Sequence, residues 1–221
     1  MLINLGFGGS HKLRFSTDKP VARLACFFME WSFLRHCELP FEQEKHAWSI
    51  CPFSGSLLRS PLPSTNTSPV PLKVRDALKY CYDPYSCKSN LCELSTPASP
   101  SQTLKKIERM HGFLEHIGSG HFFISRCYAS MRCELIENSV AAMNTIACLP
   151  SQKEYAHRLC LQRTLLVAKI SKSFREKGVL FIGALLPTVE MHAWIIEDGC
   201  QPDAQDRQWI LFRPLLALYS V

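Results

Sequence analysis

The chain has no apolar stretch of the roughly 18 to 20 residues that a membrane-spanning helix requires; residues 24–34 come nearest, but Glu30 interrupts them and Arg23 and Arg35 bound them. Membrane insertion is therefore not expected. Lys and Arg outnumber Asp and Glu by 25 to 19, giving a net charge of +6. No run of five or six basic residues occurs, however, and no basic patch is interleaved with aromatics, so nucleic acid is not an expected partner. A phosphate-binding loop is also missing, because Gly6-Phe-Gly-Gly-Ser lacks a following Lys and a preceding strand. Cys81, Cys87 and Cys92 lack the Cys-x-x-Cys spacing of zinc sites and have no histidine near them before His111. His111, His116 and His121 recur every five residues, a step that rotates them apart on a helix. Neither a metal nor any other cofactor is expected.

What is present describes a folded protein. Of the 221 residues, 47% are hydrophobic, 10% aromatic and 20% charged, enough apolar surface to offset the entropy of ordering the chain into one or two domains. Residues 1–10 carry neither the basic start nor the apolar stretch of a secretory signal, and the 11 cysteines are odd in number. A reducing cytoplasm with mostly free thiols is the expectation.

Three regions follow from composition. Residues 1–55 mix apolar runs with charged stretches and read as a small amino-terminal region. Residues 56–102 read as linker and connecting segment, since four prolines between 54 and 71 remove amide donors and the intervening Ser and Thr favour turns. Residues 103–221 read as the main domain. Within it, helix is expected across 121–148, ending before Pro150. A second helix carries Leu161, Thr164, Leu165 and Ala168 on one face and stops at Gly178. Strands are then expected at 179–186, 191–197 and 209–218, separated by Pro187 and the Asp198-Gly199 turn. Helix followed by antiparallel sheet is an α+β order.

One ordered set in this domain carries chemistry. Cys160 lies near the start of its helix, where free amides and the helix dipole favour a thiolate. His192 lies at the start of a hydrophobic strand, able to meet that thiol from a rigid neighbour. An acid soon afterwards would orient the imidazole, and Asp203 and Asp206 both qualify by position. Taken singly, each has a bland reading: a buried cysteine, a histidine beside Trp194, ordinary acids in a turn. The order of the three raises them above it.

The same set has a familiar wording: Cys160-Leu-Gln-Arg-Thr-Leu, a helix ending Arg175-Glu-Lys-Gly178, then Leu180-Phe-Ile-Gly183, then His192-Ala-Trp-Ile-Ile-Glu-Asp-Gly199, with Phe212-Arg-Pro-Leu-Leu-Ala-Leu closing the string. Residues 145–221 thereby resemble the carboxy-terminal domain of the lasso-peptide maturation proteases, the transglutaminase-like B proteins. The resemblance implies a papain/transglutaminase-like α+β domain, with Cys on a helix and His and Asp on an antiparallel sheet, preceded by a small region of uncertain fold. It implies a cytoplasmic cysteine peptidase that removes the leader from a ribosomally made precursor peptide, partnered by a cyclase that closes the freed amino terminus onto an acidic side chain. Cys160 would be the nucleophile and His192 the base. In the family the acid usually stands in an Asn-Asp pair. Gapless spacing puts Asp203 on the Asn position and Ala204 on the Asp. A one-residue shift makes Asp203 the orienting acid, which is the preferred reading, and a longer loop brings in Asp206. Lys12, Arg14, Lys19 and Arg23 would suit an acidic leader. Two rivals stay open: a peptide-binding module of the same fold without catalysis, and acyl transfer to an amine by the same triad.

Overall fold

Residues 178–185, Gly-Val-Leu-Phe-Ile-Gly-Ala-Leu, are apolar on both sides of the pleat, the pattern of a strand covered on both faces. In the structure, a computed structural model describing residues 34–43, 46–51, 57–61, 69–87, 135–148, 160–186, 188, 190–203 and 206–220, they form an inner strand with almost every side chain buried. The described elements run β1 (Arg35–Glu38), β2 (Phe41–Gln43), β3 (His46–Ile50), β4 (Leu57–Pro61), α1 (Leu72–Tyr82), α2 (Ser139–Ala147), α3 (Cys160–Ile170), α4 (Lys172–Lys177), β5 (Gly178–Leu185), β6 (Glu190–Glu197) and β7 (Arg213–Tyr219). Short 3-10 turns occupy Pro84–Ser86 and Gln208–Leu211. The architecture is α+β with antiparallel sheets.

Four strands make the main sheet in the order β1-β7-β5-β6, every pair antiparallel. Alternation divides its residues between two cores. Leu180, Ile182, Ala193 and Ile195 face a core shared with Leu165, Leu166 and Ile170 of α3 and Ile146 of α2. Val179, Phe181, Trp194 and Ile196 face the other, shared with Val74, Ala77 and Cys81 of α1 and with Trp209 and Phe212. Helices thus cover both faces, while β6 forms one margin of the sheet.

Pro214 stands in β7, an inner strand, where it has no amide to give to the ladder. The register accommodates it with a bulge: Ile182 pairs with Leu216 but Gly183 pairs with Pro214, leaving Leu215 as the additional residue. Glycine is required opposite, since a Cβ at Gly183 would lie 2.3 Å from the Arg213 carbonyl oxygen and 2.7 Å from the Trp194 ring. On its other side Gly183 pairs with His192, so this close packing sits directly beside the imidazole's strand position.

Several sequence expectations are corrected. The segment expected as linker contains β4, which pairs with β3 along its whole length and buries Leu57 against Ile50 in the same core as Cys160. Pro61 is tolerated as the last residue of an outer strand. Arg35–Glu38, expected within the amino-terminal region, is β1 of the main sheet and pairs with β7. Of the helix expected across 121–148, residues 121–134 lie outside the described residues, and within 135–148 the helix is α2 alone; Asn138 caps it by accepting from the Ala141 amide at 2.9 Å, and the Ile136 amide instead donates to the Ile170 carbonyl at 2.8 Å. The helix expected to run unbroken to Gly178 divides at Ser171, whose hydroxyl accepts from the Phe174 amide at 3.2 Å and starts α4. The last strand begins at Arg213, because Gln208–Leu211 is a 3-10 turn. No helix among the described residues is long and apolar enough to cross a membrane.

Candidate active site

The Leu161, Thr164, Leu165, Ala168 stripe seats α3 against the sheet, and that docking places the first residue of the helix at the sheet's outer strand. This residue is Cys160, 3% exposed. Thr164 donates its hydroxyl to the Cys160 carbonyl at 2.9 Å, holding the first turn together. His192 comes from β6, on the pleat face opposite the one that Ala193 and Ile195 turn to α3. Thiol and imidazole therefore come together around the margin of the sheet, where the Cys160 thiol acts electrostatically on His192.

The imidazole's Nε2 lies 2.6 Å from Asp206 Oδ2, with the two side chains 13% and 8% exposed. With Nε2 given to the carboxylate, Nδ1 is the nitrogen left for sulfur. Phe212 lies against one side of the ring, with centroids 5.0 Å apart, and Trp194 stacks at 6.2 Å and 13°. The imidazole is 13% exposed between them. Burial by itself would depress the His192 pKa, but hydrogen bonds to Asp206 and Cys160, and their negative charge, outweigh it and lift the value from 6.5 to about 9.

Asp206 is held at three atoms. Its amide donates to the Asp203 carbonyl at 3.1 Å, its Oδ1 accepts from the Gln208 amide at 3.2 Å, and Oδ2 faces His192. Asp203, the preferred acid on spacing, is not the one at the imidazole: its Oδ2 meets Arg163 Nη2 at 2.7 Å. The reason is electrostatic and local. A largely covered carboxylate pairs with the guanidinium that α3 presents one turn beyond Cys160, and the turn that follows carries Asp206 onward to His192. Of the expected set, the structure brings Cys160 and His192 together and supplies Asp206 as the acid. Arg163 and Phe212 were missed. An i, i+3 relation to Cys160 was the available signal for Arg163.

No family model matches the chain. No curated protein or solved structure matches it at a significant level.

The remaining thiols differ from Cys160 in their surroundings. Burial pushes the Cys81 thiol up to about 12, opposed by the Trp194 side chain, and burial also raises Cys37 and Cys87. None of the three is hydrogen-bonded to a histidine among the described residues. Cys37, Cys51, Cys81, Cys87, Cys148 and Cys160 carry free thiols, and among the described residues no group of three or more His, Cys, Asp or Glu side chains is arranged to hold a metal. Cys92, His111, His116 and His121, with the amino-terminal basic residues from Lys12 to Arg23, lie outside the described residues.

Cys160, His192 and Asp206 stand in the order thiol, imidazole, carboxylate, an arrangement whose chemistry suits acyl transfer through a thioester.

Proposed function

We propose that the chain is a cysteine peptidase with a papain/transglutaminase-like domain that removes the leader from a lasso-peptide precursor. The reading is carried by the His192–Asp206 hydrogen bond together with the Cys160 thiol that acts on the same imidazole. Cys160 sulfur attacks the carbonyl at the leader/core junction while its proton resides on His192. His192 then protonates the departing amine, releasing the core and leaving the leader as a thioester on Cys160. Water gives a proton to His192 and attacks the thioester, freeing the leader acid and restoring the thiol. Asp206 holds the ring tautomer throughout and stabilises the imidazolium. The precursor wording comes from the resemblance of residues 145–221, and the cyclase partner comes with it.

The deciding experiment is mass spectrometry of a lasso precursor incubated with the purified chain and with Cys160→Ala, each with and without the cyclase. Leader released only by the unsubstituted chain supports the reading. Intact precursor in every tube, with peptide binding retained, refutes catalysis in favour of a binding module. Leader joined to an added amine identifies acyl transfer.

A further inference from the structure

Arg163 lies one turn along α3 from Cys160, and its guanidinium meets Asp203 at 2.7 Å with the two side chains only 15% and 10% exposed. A solvated ion pair of this length would be worth little. A covered one is different, because removing either partner strands a charge away from water. The pair thus ties two pieces of chain that are distant in sequence. Asp203 passes the constraint on through its backbone, whose carbonyl accepts the Asp206 amide at 3.1 Å. Asp206 passes it to His192 through Oδ2 at 2.6 Å. The contacts form a line from Arg163, on the helix that carries Cys160, through Asp203 and Asp206 to His192.

We infer that Arg163 and Asp203 are positioning residues, which fasten the acid-bearing segment to the nucleophile-bearing helix so that the Asp206 carboxylate stays on His192. The inference rests on the cysteine-peptidase reading of the same site. Movement of the segment between β6 and β7 is thereby referred to α3, the helix that carries Cys160, so the carboxylate keeps its place relative to the thiol. The Arg163–Asp203 pair also neutralises the second acid of the segment, leaving Asp206 to act on the ring.

The test uses the full chain carrying Asp203→Asn, Arg163→Gln, Asp206→Asn, or Asp203→Asn with Asp206→Asn. Two quantities are read: the titration midpoint of His192 by nitrogen NMR, and the rate at which iodoacetamide modifies Cys160 at neutral pH. Asp203→Asn and Arg163→Gln are expected to move the midpoint from about 9 toward 6.5 and to slow modification roughly tenfold, the factor that one pH unit represents. Asp206→Asn moves both further, and adding Asp203→Asn to it changes nothing more, because Asp203 works through Asp206. Arg163→Lys restores part of the rate. If Arg163→Gln does not fold, Asp203→Asn, of the same shape, carries the test. A folded Asp203→Asn chain with the parental midpoint and rate overturns the inference and leaves the catalytic reading intact. A parental Cys160 no more reactive than Cys81 overturns both.

Discussion

The two ends of β6 each hold a covered carboxylate, with opposite consequences. At the His192 end, Asp206 faces an imidazole at 2.6 Å. At the other end, Glu197 accepts from neutral donors: the Ser139 hydroxyl on Oε2, and on Oε1 the Ser173 hydroxyl at 2.5 Å and the Ser139 amide at 3.5 Å. Ser139 also reaches Ser171 at 3.1 Å, so the cluster gathers the start of α2, the break after α3 and the first turn of α4. Hydroxyls and amides hold their protons across the physiological range, whereas an imidazole exchanges its own. The same carboxylate chemistry thus meets fixed protons at one end and an exchangeable proton at the other. The partner makes the difference.

Substituting each end separately sharpens that contrast. Asp206→Asn is expected to lower peptidase turnover by about 10³- to 10⁴-fold, since an amide leaves the geometry in place but cannot hold the required tautomer or support the imidazolium. Glu197→Gln leaves turnover within about twofold, because no proton passes there. Equal losses from the two substitutions, measured as initial rates of leader release, would erase the functional distinction between the ends.

The pH dependence of stability is the next largest effect. His192 titrates at about 9 when folded against 6.5 ordinarily, so folding favours its protonated form. The contribution is fully present below pH 6.5, declines as pH rises between 6.5 and 9, and is gone above it; a rise of this size is worth on the order of 3 kcal/mol. Urea unfolding across that window should show the decline in the parent and in Glu197→Gln, and lose it in His192→Gln. A decline that persists in His192→Gln would assign it to another group.

The smallest effect is on stability at fixed pH. Glu197→Gln turns one acceptor into a donor facing hydroxyls and is expected to cost about 2 kcal/mol, seen as a lower urea midpoint with Cys160 modification unchanged. A stability loss accompanied by slower modification would mean that the serine cluster reaches Cys160 through α3.

Legibility from sequence followed periodicity. The helical stripe from Leu161 to Ala168 and the apolar runs flanking Gly183 and leading on from His192 repeat with helix and strand periods, which is why Cys160 and His192 could be paired in advance. The segment at Leu57–Pro61 was obscured, since Ser60 and Pro61 read as linker, whereas its pairing with β3 depends on residues elsewhere. Ser171 likewise interrupts a helical pattern only because its hydroxyl finds the Phe174 amide.

The acid shows where local information stops. Asp203 and Asp206 are the same residue type three positions apart in one irregular segment, and no period distinguishes them. Their roles separate when α3 packs and Arg163 takes Asp203, leaving Asp206 at the imidazole. Order and spacing along the chain were enough to bring Cys160 and His192 forward as a pair, because one rides on a helix with an apolar stripe and the other opens an apolar strand. Choosing the carboxylate required the folded state, because that choice is a competition between charges brought together from α3, β6 and the loop beyond.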